Sequence, residues 1–140
     1  MPILNLTLST PANNASAEQS QRAAAILLRL TNDILHKAQP LTSIAISHVP
    51  PQHWYIGEQS LAQQEKASFF LDIKITDETN TAIEKAAYIK AVFEEMAGLL
   101  GPLHDVSYVH IDDARPAAWG YGGLTQQYRA VKKAMESPPA

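Results

Sequence analysis

The chain contains no cysteine, which excludes a disulfide framework, a thiolate nucleophile and a zinc-thiolate site, and leaves the redox compartment open. Charge is sparse as well. Charged residues make up 18%, the formal balance is −3, and the lysines and arginines are scattered without ever forming a run. No nucleic acid and no anionic membrane is therefore expected as a partner. The amino terminus lacks a basic leader and its apolar residues alternate with polar ones, so it reads as a strand rather than a signal peptide or membrane span; a cytoplasmic location is the expectation. Several catalytic signatures are missing too. The histidines (His36, His48, His53, His104 and His110) include no i,i+4 pair and no HExxH, so no metal is expected. No nucleophile-elbow sequence frames a serine. Gly120, Gly122 and Gly123 follow a strand without opening a helix long enough for a dinucleotide site, so no cofactor is expected there.

What is present is the material for one domain with a real core: 140 residues, of which 46% are hydrophobic. Its strongest organisational signal is a repeat at an offset of 65 residues. Leu4, Leu6 and Leu8 fall on Phe69, Leu71 and Ile73, two strands of the same apolar parity. Ser16 with Gln19 falls on Thr81 with Glu84, a capping-box pattern ahead of each helical run. Ile44 and Ile46 fall on Val109 and Ile111, and Pro51, Trp54 and Gly57 fall on Pro116, Trp119 and Gly122. The spacing predicts an α+β fold of two tandem βαβ units. These form a four-stranded mixed sheet with two helices on one face, plus short edge strands at the Pro-Trp-Gly segments. The expected domain is 1–125, with pseudo-repeats 2–57 and 67–122, followed by a C-terminal extension 126–140 whose end is frayed.

One helix is expected from about Ala17 to Lys37, with Ala24, Leu27, Leu28, Thr31, Ile34 and Leu35 as its apolar set. A second runs from about Ala82 to Leu100, with Ile83, Ala86, Ala87, Ile89, Val92, Phe93, Met96 and Leu100 on the apolar face and Gly101-Pro102 as the stop. With both helices on one side, the opposite sheet face is left open. It carries Asn5, Thr7 and Ser9, then Phe70, Asp72 and Lys74, then Tyr108, His110 and Asp112. Such a face is either solvated or covered by a partner subunit; the partner is favoured because Phe70 and Tyr108 are costly to leave wet.

Pro2 carries the chemical interest, since it lies directly behind Met1 and ahead of the alternating run Leu4-Asn5-Leu6-Thr7-Leu8. Trimming the methionine would leave a secondary amine fixed to a strand edge, able to serve as base or nucleophile once burial or nearby cations lower its pKa. Proline after methionine is common, and alone it marks nothing.

A strand opening with Met-Pro, a helix ending near Lys37, the segment Ile44-Ala45-Ile46-Ser47-His48-Val49-Pro50, and the closing run Asp105-Val106-Ser107-Tyr108-Val109-His110-Ile111-Asp112-Asp113 together resemble the tautomerase superfamily, in its longer form with two fused βαβ units. Trp119-Gly120-Tyr121-Gly122-Gly123 is similar to the turn after the last main strand in bacterial members. The resemblance covers residues 2 to about 125. It implies a homotrimer with active sites at subunit boundaries and a cofactor-free proton transfer through Pro2 that converts an enol to a ketone. Ala67, which matches Pro2 in the second half, has no free amine, so only one half would carry the base.

The resemblance also implies further site residues. Lys37 would bind an acidic or enolate oxygen and disfavour protonation of Pro2, or simply complement a helix end. Tyr108 would donate to substrate from the adjacent subunit, or pack an interface. His110 replaces an asparagine of the family and is either a donor to substrate or a hydrogen-bonded sheet histidine. Tyr108, Trp119 or Tyr121 would supply an aromatic wall, with Phe70 a further candidate. The paired arginines of the family's dehalogenases and decarboxylases are absent: their place reads Lys74-Ile75-Thr76-Asp77-Glu78-Thr79. A diacid is therefore a poor substrate unless Lys37, Lys74 or Arg115 converge from different subunits. Asp113 either activates water or caps the turn after its strand. The expected substrate is a singly charged enol or 2-keto acid of arylpyruvate or muconate type. The alternatives are a hydratase, dehalogenase or decarboxylase of the same superfamily, or a non-enzymatic trimeric ligand-binding protein.

Overall fold

The computed structural model describes residues 2–11 and 17–136. The fate of Met1, the Ser16 cap and the expected fraying of the C-terminal end at 137–140 lie outside the described residues. Strand β1 (Ile3–Ser9) leads into helix α1 (Ala17–Asp33) and strand β2 (Ser43–His48). A small hairpin, β3 (Tyr55–Ile56) and β4 (Gln59–Ser60), and a one-turn helix α2 (Leu61–Gln64) close the first half. The second half repeats the order: β5 (Ser68–Thr76), α3 (Ala82–Leu100), β6 (Tyr108–Ala114), the hairpin β7 (Gly120–Tyr121) and β8 (Leu124–Thr125), then α4 (Gln126–Glu136).

The sheet order is β2-β1-β5-β6. Each βαβ crossover gives a parallel pair, β1 with β2 and β5 with β6, while β1 and β5 meet antiparallel at the centre. Alternation fixes this register. Leu4, Leu6 and Leu8, with Phe69, Leu71, Ile73 and Ile75, are fully buried or nearly so on the helix side, and a slip of one residue would turn all of them outward. Against them pack Ala23, Leu27, Leu30 and Leu35 before and after the end of α1, and Tyr88, Val92, Met96 and Leu100 from α3. The other face stays open in the protomer: Phe70 and Tyr108, opposite each other in register, are 42% and 62% exposed.

The helices differ from expectation in two places. α1 stops at Asp33 and not near Lys37, because His36 adopts a left-handed backbone (φ 59°) that no α-helix continues. The Lys37 N–H reaches back to the Thr31 carbonyl (3.3 Å), and the Asn32 amide donates to the Lys37 carbonyl (2.9 Å), which satisfies the turn. On α3 the buried stripe runs every fourth residue from Tyr88, so Ile83, Ala86, Ala87 and Ile89 fall off it and are exposed. The Thr81 capping box forms as spelled: Thr81 Oγ1 accepts from the Glu84 N–H, and Glu84 accepts from the Thr81 N–H.

The two closing hairpins are built alike, down to one backbone bond. Leu61 N–H donates to the Trp54 carbonyl (2.8 Å), and Gln126 N–H to the Trp119 carbonyl (3.0 Å). Gly57 and Gly122 share a positive φ of 68° and 61°. The second strands are aligned differently from the sequence expectation. Leu6 faces Ile46 and Leu71 faces Val109, so Ile46 rather than Ile44 corresponds to Val109. A two-residue offset keeps every side chain on its face, which is why parity alone did not detect it. The halves differ most at their ends: α2 is four residues long, whereas α4 has eleven. Among the described residues, no helix is long and apolar enough to cross a membrane.

Candidate functional site

Pro2 is buried at the amino-terminal end of β1. Its carbonyl accepts from the Ser43 N–H (3.2 Å), which locks the start of β1 to the start of β2. The residue lines a cavity of about 260 Å³ together with Leu41, Ser43, Trp119, Tyr121 and Gln126. One wall is therefore the turn into β2, and the other is the β7–β8 hairpin with the first residue of α4.

The hairpin is held in place by contacts that leave little freedom. Gly120 lies so near the Leu124 carbonyl oxygen that an added Cβ would sit 2.0 Å from it. Gly122 and Gly123 take the positive φ values, 61° and 81°, of a tight two-residue turn. The Arg129 guanidinium donates to the Tyr121 carbonyl (3.0 Å) and stacks 3.9 Å from the centre of the Tyr121 ring, clamping α4 onto β7. Gly120→Ala is expected to push the strands of the hairpin apart at a cost of about 1–3 kcal/mol. A lowered thermal midpoint, with a red-shifted emission in a Trp54→Phe background where Trp119 alone reports, would show it; unchanged values would mean that the hairpin tolerates the methyl.

Trp119 brings a chemical feature to this wall. Its indole Nε1–H is buried and has no hydrogen-bond partner among the described residues. A buried donor left unpaired is costly, and an acceptor in the cleft would relieve it. Of the expected site residues, the fold thus brings Pro2 and Trp119 together, with Tyr121 alongside.

The others lie elsewhere in the protomer. Lys74, Tyr108 and His110 share the open sheet face, where Lys74 Nζ sits 3.0 Å from Asp72 and 3.9 Å from Asp112, and His110 Nδ1 lies 3.4 Å from Asp72. Phe70 is on that face as well. Lys37 is half-buried on the helix side and donates to Thr79 Oγ1 (2.8 Å). Desolvation pulls its pKa below the usual lysine value, with Glu84 and Asp113 partly offsetting the loss. Asp113 is taken up by Lys85 (2.7 Å), and Arg115 is an exposed residue whose carbonyl accepts from the Ala118 N–H (2.9 Å). No group of three or more His, Asp or Glu residues able to hold a metal occurs among the described residues.

Sequence reasoning missed Gln126 and Arg129 because the last stretch was treated as an extension. The signals were present. Thr125 stands as a cap and accepts from the Tyr128 N–H (2.9 Å), and Tyr128, Val131 and Met135 follow at helical spacing. A larger cavity of about 490 Å³ lies between α1 and α3, lined by Arg22, Ile26, Glu94, Glu95 and Leu99. It belongs to the helix layer, and Pro2 does not line it.

A two-repeat βαβ sheet with a buried proline lining a cleft beside the last hairpin is the tautomerase-superfamily fold, and comparison with solved structures shows that fold directly. The chain is similar to native fused 4-OT at 22% identity, covering 91% of this chain and 98% of that one with a TM-score of 0.77. It is similar to the macrophage migration inhibitory factor-like protein of Entamoeba histolytica at 15% identity, 89% and 97% coverage and TM-score 0.72. FG41 malonate semialdehyde decarboxylase matches at 16% identity over 97% of this chain and 99% of that one, TM-score 0.70. No protein-family model and no curated protein matches the chain.

Proposed function

We propose that this protein is a cofactor-independent tautomerase that moves a proton between the oxygen and carbon ends of a small enolpyruvate-type or 2-keto acid, with Pro2 as the base and then the acid. The supporting observation is that Pro2 is buried and lines a cleft shared with Trp119, whose buried indole N–H has no partner among the described residues. The Pro2 nitrogen removes the enol O–H proton. The carbon–oxygen double bond forms as the carbon–carbon π pair collects that same proton from the prolinium, so no atom is gained or lost. Negative charge develops on the oxygen during the step, where the Trp119 donor stabilises it. A homotrimer fits the same reading. The uncovered sheet face exposes Phe70 and Tyr108, and fused 4-OT relatives of this fold are trimers. In such an assembly the residues of that face, Lys74, Tyr108 and His110, would meet a neighbouring protomer.

The test is ketonisation of an enolpyruvate by two preparations that differ in intact mass by one methionine. The lighter species, with a free Pro2 amine, is expected to be active and to sediment at three times the 15.3 kDa chain mass. The heavier one, with Pro2 inside a tertiary amide, is expected to be inactive. Equal rates would remove the proline from the chemistry and favour a ligand-binding scaffold.

A further inference from the structure

The first residue of α4 is a buried amide. Gln126 keeps 8% of its surface, and its backbone N–H is spent on the Trp119 carbonyl (3.0 Å). Its side-chain amide makes no hydrogen bond with any described residue and is not sealed within the protein. An amide taken out of water without partners is costly, since it brings two N–H donors and an acceptor oxygen. The residue stands between two hollows: the Pro2 cleft, and a mostly apolar one of about 270 Å³ against Thr76 and Pro116. Polar groups around the second are already committed, Thr79 Oγ1 to Lys37 and to the Thr76 carbonyl, Arg129 to Tyr121, and Lys133 to a partner of its own. The amide is left to serve the cleft.

The internal repeat shows that the fold does not ask for it. Leu61 holds the matching place at the start of α2, with its N–H on the Trp54 carbonyl (2.8 Å), and is fully buried. In the same repeat Ala67 stands where Pro2 does. Proline and amide thus line one cleft together, whereas alanine and leucine take their places in the other copy. Among the described residues that line the cleft, none carries an acidic or basic side chain; Ser43, Trp119, Tyr121 and Gln126 bring neutral polar groups to it.

We infer that Gln126 is a substrate-contacting residue that sets the specificity of the Pro2 cleft, its amide pairing with an uncharged group that both donates and accepts, a carboxamide or a hydroxyl, away from the reacting carbon. The reacting oxygen is already served by Pro2 and Trp119, so the amide answers a second polar group of the substrate. A carboxamide or a hydroxyl satisfies its donor and acceptor ends at once, and a bare C–H satisfies neither. A carboxylate there accepts only, and it gives up its hydration in a cleft lined by no cationic side chain. The assignment rests on the reading of the Pro2 cleft as the reaction site.

The experiment measures equilibrium binding of three arylpyruvates by titration calorimetry: phenylpyruvate, its 4-carbamoyl derivative and its 4-carboxy derivative, the last two alike in size and different in charge. The intact protein is expected to bind the carbamoyl compound about tenfold more tightly than phenylpyruvate, and the carboxy compound more weakly than either. Gln126→Leu, which imports the residue of the other repeat, brings the carbamoyl preference to within about twofold. Gln126→Met, unbranched and of the same length, does the same and guards against a misfit leucine. Thermal melting supplies a readout of opposite sign: with an unpaired amide removed from the interior, both variants are expected to melt at or above the temperature of the intact protein. A carbamoyl preference that survives both substitutions, tighter binding of the carboxy compound by the intact protein, or a clear loss of thermal stability in both variants overturns the assignment. Ketonisation of phenylenolpyruvate by Pro2→Ala separates the two readings. A preference that depends on Gln126, beside equal rates for Pro2→Ala and the unaltered protein, keeps the specificity residue and removes the tautomerase; ketonisation that depends on Pro2, without that preference, does the reverse.

Discussion

Replacing Pro2 by alanine is expected to lower the rate of enolpyruvate ketonisation by about 10²- to 10⁴-fold, the usual worth of a positioned general base, with no change in oligomer mass. The argument depends on geometry as much as on basicity. Alanine at this position still offers an α-amine after processing, with an unperturbed pKa of about 8. It also keeps the backbone carbonyl that receives the Ser43 N–H, so the sheet is undisturbed. What it loses is the ring, which fixes the nitrogen relative to β1 and lines a cleft of about 260 Å³. A base free to rotate spends most of its time out of line with the substrate carbon. The pH profile gives the sign of the chemistry. For a proline acting as base, activity rises as the amine deprotonates and falls away at lower pH; the opposite limb would mean that a cationic proline serves as acid, as a hydratase or decarboxylase would require. Rates for Pro2→Ala within about threefold of the unaltered protein, well inside the smallest loss a general base permits, would end the proposal.

Much of the fold was legible because its signals are redundant. The leucines of β1 and the apolar run of β5 state the parity of the central pair, the Thr81–Glu84 box states where α3 begins, and the Pro-Trp-Gly identities state that both halves end in the same hairpin. What stayed illegible depended on contacts between distant segments. The left-handed turn at His36 ends α1 earlier than its hydrophobic pattern does, since Ile34 and Leu35 continue the apolar stripe beyond the last helical residue. Tyr88 was overlooked as a core residue because a tyrosine in an alanine-rich stretch is not distinguished by periodicity, whereas its partner, Thr31, lies on the other helix. At the site, Pro2 and Trp119 come together because the start of β1 lies under the second hairpin. Lys37 was placed by position along the chain, yet its side chain is taken up by Thr79 on the turn before α3. Arg129 had no motif to mark it, and only the packing of α4 on Tyr121 reveals its role.

Tyr88 is where a single side chain is expected to matter most for stability, and the effect has a pH signature. The ring is fully buried between α3 and the sheet, and its hydroxyl meets Thr31 Oγ1 at 2.9 Å across the two helices. Tyr88→Ala is expected to cost about 3–5 kcal/mol through the cavity it leaves. Tyr88→Phe is expected to cost only about 1 kcal/mol, because Thr31 can turn its hydroxyl to a carbonyl one helical turn back. Burial raises the Tyr88 pKa from 10.0 to about 12, with the Thr31 bond acting weakly the other way. The folded protein thus keeps this proton after the unfolded chain has released it. The stability linked to the proton is complete below pH 10 and is lost as pH rises from 10 towards 12, to a total of roughly 2–3 kcal/mol. Lys37 has the reverse sign: its lowered folded pKa means that its desolvation penalty is relieved as pH approaches 10.5, so the raw alkaline profile mixes two slopes. Tyr88→Phe removes one slope and leaves the other. Urea melts of both proteins between pH 9 and 12 are expected to start about 1 kcal/mol apart and to converge, then cross, as the unaltered protein loses its advantage. Parallel curves across that range would show that the phenol is accessible to hydroxide in the folded state and that the Thr31–Tyr88 contact does not seal the interface between the helices.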